Sequence, residues 1–348
     1  MKSLLQIARR MMATGVLIAL GGQALYAQDA AETVYDYAMA HHEQEMTRCE
    51  TCSPEQFAAK TYKIGFVLEG LGHPHLVALK ADAEAVAAKY PNMQLMVRAG
   101  GDDLAKQSAD AEELLAQGVD ALIIQSANAQ MLKGVLEQAD AMNVPYFFCL
   151  KGIKGTKAVS HALAGYSIEG KMMGDYIAQT FPDGGNAALI EGIPGDESNT
   201  SRTGQFVKAL AANPKWKILA SRPGMYRQEP AMKVMEGFLS EFPDINLVFG
   251  ANDANALGAL RVIREAGLVG QIKVIGVDAE KAALDAIKKS EMLATATHGK
   301  GGARGRTLGG VVMNIIVDYF NGKDVPRWYV SGTEMVTQEN VNQIEPIF

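Results

Sequence analysis

The chain has 348 residues, of which 48% are hydrophobic and 21% charged. That length holds about two domains of ordinary size, and the composition is too apolar for a chain that stays disordered. The formal net charge of −6 provides no basic field for nucleic acid or an anionic membrane, and three cysteines cannot build a disulfide scaffold.

Residues 1–27 read as a secretory signal peptide. Lys2, Arg9 and Arg10 form a basic head, residues 11–20 an apolar middle, and Gly21 to Ala27 a stretch with a small residue at the cut. The apolar run is shorter than the roughly 20 residues needed to span a bilayer. A soluble, periplasmic protein is predicted, with no membrane insertion after cleavage. The removed piece carries three positive charges and no negative one, which takes −6 to −9. The first cysteine is Cys49, so no lipid anchor is expected at the cut.

Residues 28–60 form an N-terminal arm. Val34, Tyr37, Ala38 and His41 lie at helical spacing and predict a helix over residues 31–48. Pro54 and the short polar residues before it then impose a turn. His41, His42, Glu45, Cys49 and Cys52 admit two readings. A Cys49–Cys52 disulfide is the expected state in an exported protein, and a zinc site is the alternative. Haem attachment needs a histidine where Ser53 stands, and a thioredoxin-like pair needs a strand and helix that are absent here. Cys149, on an apolar strand, reads as a buried thiol. No metal or cofactor is predicted.

From Tyr62 the chain alternates regularly. Strands are predicted at 63–68, 94–97, Ala121–Ile124 and 146–149, with helices at 75–89, 104–117 and 130–142 between them. The order repeats with strands at 187–190, 218–220, 247–249 and 273–277 and helices at 200–212, 230–241 and 254–266. Short apolar strands alternating with helices mean parallel sheets covered on both faces. The fold class is therefore α/β, with two similar doubly wound parallel-sheet lobes. Polar loops follow the third strands, Ser126-Ala127-Asn128 in one half and Ala251-Asn252-Asp253 in the other. Such sheets bind ligands at the carboxyl ends of their strands, and two facing loop sets suit hinge closure on a small molecule.

Several segments together resemble periplasmic binding protein type I, the ribose-binding family of substrate-binding components of sugar ABC importers. They are Lys63-Ile64-Gly65-Phe66-Val67 with Pro74; Val119-Asp120-Ala121-Leu122-Ile123-Ile124; Asn143-Val144-Pro145; and Gly192-Ile193-Pro194-Gly195 with Arg202 and Phe206. Ala251-Asn252-Asp253, the run from Ala256 to Leu260, and Val274-Ile275-Gly276-Val277-Asp278 complete the set. The resemblance runs from about Tyr62 to Gln338 and leaves the arm outside. It implies a three-segment hinge, with crossings near Gly165, His298 to Gly301, and Ser331, and a ligand cleft between the lobes. The N-terminal lobe would then be residues 61–164 plus 300–330, and the C-terminal lobe 165–298 plus 331–348.

The same resemblance implies the binding residues. Glu69, His73 and His75 occupy the first loop, with Leu76 where an aromatic is common. Lys151 follows Leu150 where sugar-binding members often carry Asp-Arg; a lysine lacks the bidentate fork of an arginine, which puts ordinary pentose recognition in question and leaves room for an acidic sugar. Asn199, Thr200 and Arg202 open a helix, with Thr200 where many members have a sugar-binding arginine and Arg202 readable as a structural cation. A bland alternative makes Ser198 or Asn199 the helix cap. Tyr226 aligns with an aromatic that packs on the ligand, Asn252 and Asp278 follow their strands, and His298 stands where a glutamine is frequent.

The expected function is an exported solute-binding protein that captures a sugar or related polyol by hinge closure and delivers it to an ABC permease. The alternative is a periplasmic sensor whose closed form is read by a histidine kinase or chemoreceptor. Catalysis is not expected: no G-x-S-x-G nucleophile elbow, P-loop or strand-linked G-x-G-x-x-G occurs. Glu69 and Asp278 resemble a glycosidase pair, yet a binder of hydroxyls needs the same acceptors.

Overall fold

A computed structural model of the chain describes residues 33–42, 44–101, 103–126, 132–297 and 307–346. These form two compact units, Val34–Gly165 with Thr297–Glu334 and Tyr166–Ala296 with Met335–Ile344.

In the first unit the chain runs α1 (Val34–His41), β1 (Met46–Thr47), α2 (Pro54–Ala59), β2 (Tyr62–Leu68), α3 (Pro74–Ala87), β3 (Met93–Ala99) and α4 (Leu104–Ala116). It continues through β4 (Ala121–Ile124), α5 (Lys133–Ala141), β5 (Tyr146–Leu150) and β6 (Ser160–Leu163). Strands β4 and β5 are buried along their whole length, as expected of parallel strands covered by helices on both faces. Helix starts are set by local polar chemistry. Asp103 accepts the backbone N–H groups of Ala105 and Lys106 ahead of α4, and Ser53 caps α2, whose first residue is Pro54.

The second unit holds α6 (Tyr166–Thr180), β7 (Gly185–Glu191), α7 (Glu197–Leu210), β8 (Trp216–Pro223), α8 (Gln228–Glu241), β9 (Leu247–Gly250), α9 (Asp253–Glu265), β10 (Lys273–Ile275), α10 (Lys281–Lys288) and β11 (Thr295–Ala296). Its four-stranded parallel sheet has the order β10-β9-β7-β8. Phe206 stacks on Phe249 on one face of this sheet, with ring centroids 4.1 Å apart, and Phe238, Met235 and Ile190 fill the other.

The chain then returns to the first unit as α11 (Leu308–Phe320), β12 (Val325–Pro326) and β13 (Trp328–Val330), and ends in the second with β14 (Met335–Val336). Strand β13 joins β6 in parallel and makes the first sheet six-stranded, β13-β6-β5-β4-β2-β3. Strand β14 pairs antiparallel with β11.

Several expectations need correction. The arm is not an element apart: Val34, Tyr35 and Ala38 are buried, β1 pairs antiparallel with β12, and Phe57 stacks on Tyr62, so residues 34–60 fold as part of the first unit. The helix expected over 31–48 ends at His41 because a partner distant in sequence takes Met46 and Thr47 into a sheet. The arm's histidines and Glu45 hold structure rather than metal. His42 Nδ1 sits 3.2 Å from both the Trp328 carbonyl and the Val330 N–H, and Glu45 accepts from the Trp328 indole. Cys49 and Cys52 form a disulfide, which removes both thiolates that a zinc ion would need. The second sheet is continued past β10 as the first is past β5: the Gly276 and Asp278 N–H groups donate to the Ala294 and Ala296 carbonyls beside β11, and β14 pairs with β11, antiparallel where β13 is parallel to β6.

Candidate ligand-binding site

In the second unit all four strand ends carry polar loops, and α6 supplies a residue from behind them. The decisive approach is that of α6 to α7. A Cβ at Gly170 would lie 2.0 Å from the Arg202 carbonyl oxygen, so only glycine lets the two backbones come this close. That approach brings Glu169, the preceding residue, against Arg202. Both are buried. The Arg202 Nε and Nη2 donate to Glu169 Oε2 at 2.9 and 2.7 Å, and Nη1 donates to the Ala251 carbonyl. The Nη2 also lies 3.8 Å from Asp278 Oδ1, and the guanidinium sits 4.9 Å from the centre of the Tyr166 ring. Burial works against the charge of Arg202, but Glu169 and then Asp278 outweigh it and hold the proton more tightly than usual.

Asp278 follows β10 with φ at 124°, a left-handed conformation rare for a residue with a side chain. Two further acids are close enough to feel it. Asp253 is fully buried; its Oδ1 accepts from the Thr295 hydroxyl at 2.7 Å and its Oδ2 from the Glu280 N–H at 2.9 Å. Burial first, and then the charge of Asp278, push its pKa well above the ordinary value. Glu280 is raised to about 7 by the same two causes.

The loop after β7 is braced by Asn199. Its Oδ1 accepts from the Gly192 N–H at 2.6 Å, and its Nδ2 donates to Glu191 Oε2 at 3.1 Å. Asn255 pins the strand end itself by donating to the Ile190 and Glu191 carbonyls. Helix α7 starts earlier than the spacing predicts, at Glu197, and its cap is Asp196 rather than Ser198 or Asn199, because Asp196 Oδ1 takes the Ser198 N–H. Thr200 is exposed, with its hydroxyl turned back to the Asp196 carbonyl. Tyr226 also has positive φ, at 57°. Its ring fills the space a Cβ on Gly192 would need, and its hydroxyl lies 3.4 Å from Ser198 Oγ. Burial raises its pKa. Asn252 is buried and caps α9 by accepting the Asn255 N–H at 2.9 Å.

The first unit carries its own set. Glu69 follows β2, and its N–H donates to Gln125 Oε1; Gln107 Nε2 donates in turn to the Gln125 carbonyl at 2.7 Å. His73 caps α3 by accepting the His75 N–H at 3.2 Å, and His75 is buried. Lys151 follows β5, whose last residue Leu150 has φ at 73°. Strand β4 lies between β5 and β2 in the sheet. His298 and the loop residues Ala127 and Asn128 lie outside the described residues. A cavity of about 590 Å³ is not part of this set. It is lined by the Cys49–Cys52 turn, Lys60, Tyr62, Asp120 and Tyr319, at the opposite, amino-terminal ends of β2 and β4. Among the described residues no group of three or more His, Cys, Asp or Glu is placed to hold a metal ion.

The family model described as "Periplasmic binding protein domain" matches residues 64–324, three-quarters of the chain. The chain belongs to this family. The ribose import binding protein RbsB of Bacillus subtilis is 29% identical over 280 residues, covering 80% of this chain and 88% of that protein. An ABC transporter solute-binding protein from Mycobacterium smegmatis, solved with bound glycerol, superposes with a TM-score of 0.73 at 26% identity, covering 81% of this chain and 96% of the other. The Caulobacter myo-inositol binding protein, solved with myo-inositol, has a TM-score of 0.72 at 26% identity over 81% and 95% of the two chains. The periplasmic binding protein fold explains why the polar residues gather where they do. In a parallel sheet the loops after successive strands open at one edge, and side chains distant in sequence meet there.

Sequence reasoning missed Glu169, Glu191, Asn255 and Gln125. Glu169 had no signal, because it sits on a helix 33 positions from its partner Arg202. Asn255 was within reach: a second amide three residues after the capping Asn252 marks a polar first turn.

Proposed function

We propose that this chain is an exported solute-binding protein that takes up one small sugar or polyol and passes it to an ABC importer. One observation carries the reading: short polar acceptors and donors stand at the carboxyl ends of successive strands, with Asp278, Asn252, Asn199 and Tyr226 in the second unit and Glu69, His73 and Lys151 in the first. A hydroxylated ligand offers both donors and acceptors on each carbon, and such mixed loops match it. The relatives named for ribose and myo-inositol, and the one solved with bound glycerol, support this ligand class. Asp278 and Asn252 are the proposed hydroxyl contacts, Tyr226 the ring-face contact, and Glu69, His73, His75 and Lys151 the contacts from the first unit. Asn199 acts mainly as a brace, since both ends of its amide are engaged by the loop. Thr200 and Arg202 complete the set, one as an exposed hydroxyl and one as a fixed cation. His298 stays in the proposal from sequence alone. Delivery to a permease is preferred to sensing because the ribose relative is named for import. The proposed location is the periplasm, reached through the signal peptide.

A thermal-shift screen of the mature protein against sugars, polyols, sugar acids and amino acids tests this. A ligand at 100 times its Kd adds about 2.7 kcal/mol, roughly 5–10 °C for a unit of this size. A shift confined to sugars or polyols is expected. A shift with amino acids alone would overturn the reading.

A further inference from the structure

The turn between β1 and α2 carries chemistry that solute binding does not use. Cys49 and Cys52 are disulfide-bonded and half-buried, and both line the cavity of about 590 Å³ at the amino-terminal ends of β2 and β4. The bond does little as a staple. It joins residues only three positions apart, and the chain entropy a disulfide removes grows with the length of the loop it closes.

The turn is also held without it. The Cys52 N–H donates to the Cys49 carbonyl at 3.3 Å. On one side β1 pairs with β12; on the other Ser53 caps α2, and the buried Phe57 stacks on Tyr62. The Cys52 carbonyl rests against Gly322, where a Cβ would come within 2.4 Å of it. These contacts keep the two sulfurs adjacent whether or not they are bonded, so the bond can open and close without refolding.

The surroundings favour exchange. A disulfide sulfur carries no hydrogen, so the Thr51 hydroxyl, 3.8 Å from Cys49 Sγ, is the donor of that pair. A donor there stabilises negative charge on Cys49 and makes it the better leaving thiolate. The cavity has the size of a small-ligand pocket. It sets the Lys60–Asp120 ion pair beside the rings of Tyr62 and Phe320, a mixture that suits the amides and side chains of a short peptide. Cys149 does not compete, because it is buried in β5 and burial pushes its thiol pKa up.

We propose that Cys49–Cys52 is a thiol–disulfide exchange site that oxidises cysteinyl thiols of peptides seated in this cavity. The incoming thiolate attacks Cys52 Sγ. The Cys49–Cys52 bond breaks, and its electron pair leaves on Cys49 Sγ, which takes up a proton. A second substrate thiolate attacks the substrate sulfur of the mixed disulfide and releases Cys52, which is protonated in turn. Two substrate thiols thus lose two electrons and two protons and become a disulfide, and the pair gains both and becomes a dithiol. The step needs an accessible sulfur and a good leaving group, not a thioredoxin-like strand and helix. It is independent of the sugar reading, which stands whatever the outcome.

The test incubates the mature protein with reduced glutathione, a peptide thiol, or with 2-mercaptoethanol, then labels thiols with iodoacetamide for mass spectrometry. Cys149 serves as the internal reporter of unfolding. Glutathione is expected to open the bond with labels on Cys49 and Cys52 and none on Cys149, and at matched thiolate concentration about fivefold or more faster than 2-mercaptoethanol. Thr51→Val, which loses the hydroxyl at nearly constant shape, is expected to slow the reaction about threefold or more, and Thr51→Ser to retain the rate. Labels that reach Cys149 together with the pair mark reduction through unfolding and overturn the proposal. So do equal rates for the two thiols, or a wild-type rate in Thr51→Val. Should Thr51→Val not fold, the labelling pattern and the ratio of the two thiols in the wild type decide.

Discussion

Five residues at these strand ends are held in a conformation that costs about 1–3 kcal/mol each: Leu150 at the end of β5, Met225 and Tyr226 after β8, and Asp278 and Ala279 after β10. Strain of this kind persists where the surroundings over-determine a side chain's direction, and each of these positions opens a loop of the proposed site. Asp278 also shapes its neighbours. It is the second cause, after burial, of the raised pKa values of Asp253 and Glu280. The consequence for stability has a definite sign. In the folded chain burial, and then the charge of Asp278, push the Glu280 carboxyl up to about 7 from an ordinary 4.5. Below about pH 4.5 both states hold the proton and the contribution is complete. As pH rises toward 7 the unfolded chain releases its proton while the folded chain keeps it, and about 2–3 kcal/mol is lost. Glu280→Gln should therefore flatten the fall in unfolding free energy between pH 4.5 and 7.5, measured by urea denaturation. Asp253 contributes in the same direction and leaves a residual slope. An unchanged slope in Glu280→Gln would contradict the assignment.

At the scale of elements, the contact between α6 and α7 determines whether Arg202 meets Glu169. Gly170 and Gly174, one turn apart, both face the α7 backbone at distances no Cβ tolerates, 2.0 Å from the Arg202 oxygen and 2.5 Å from the Phe206 oxygen. Gly170→Ala forces the helices apart. It should cost about 1–3 kcal/mol or more in unfolding free energy and weaken ligand binding with it; a variant as stable as the wild type would contradict the packing described here. The elements that were legible in the sequence share a property. Strands β2, β4 and β9 are short apolar runs and helices α4 and α9 carry their own periodicity and caps, so a local window suffices. Those that were not legible depend on distant partners. Strand β13 is short and becomes a strand by pairing with β6 across more than 160 residues, while β6 is held between it and β5. Helix α11 is apolar on nearly every side and offers no amphipathic face to read. The candidate site divides in the same way. Asn252 and Asp278 stand out as short polar residues directly after apolar strands, whereas Glu169 is visible only once α6 and α7 are packed.

At the scale of the whole molecule, the proposal is that a chain of two α/β units binds one small hydroxylated ligand. The family resemblance spans nearly the whole chain from Tyr62, and the family match covers residues 64–324. The arm before it is joined to the first unit by β1 and the buried face of α1. The ligand class and the permease partner both hang on binding itself. The most direct measurement is calorimetric titration of the mature wild type and of Asp278→Ala with D-ribose, D-allose, xylitol and myo-inositol. The account predicts one molecule bound per chain for at least one of the four, with a loss of tenfold or more in Asp278→Ala, as removal of a charge-assisted hydrogen bond worth about 1.5–3 kcal/mol requires. Absence of binding by all four, or equal affinity in the variant, would contradict it.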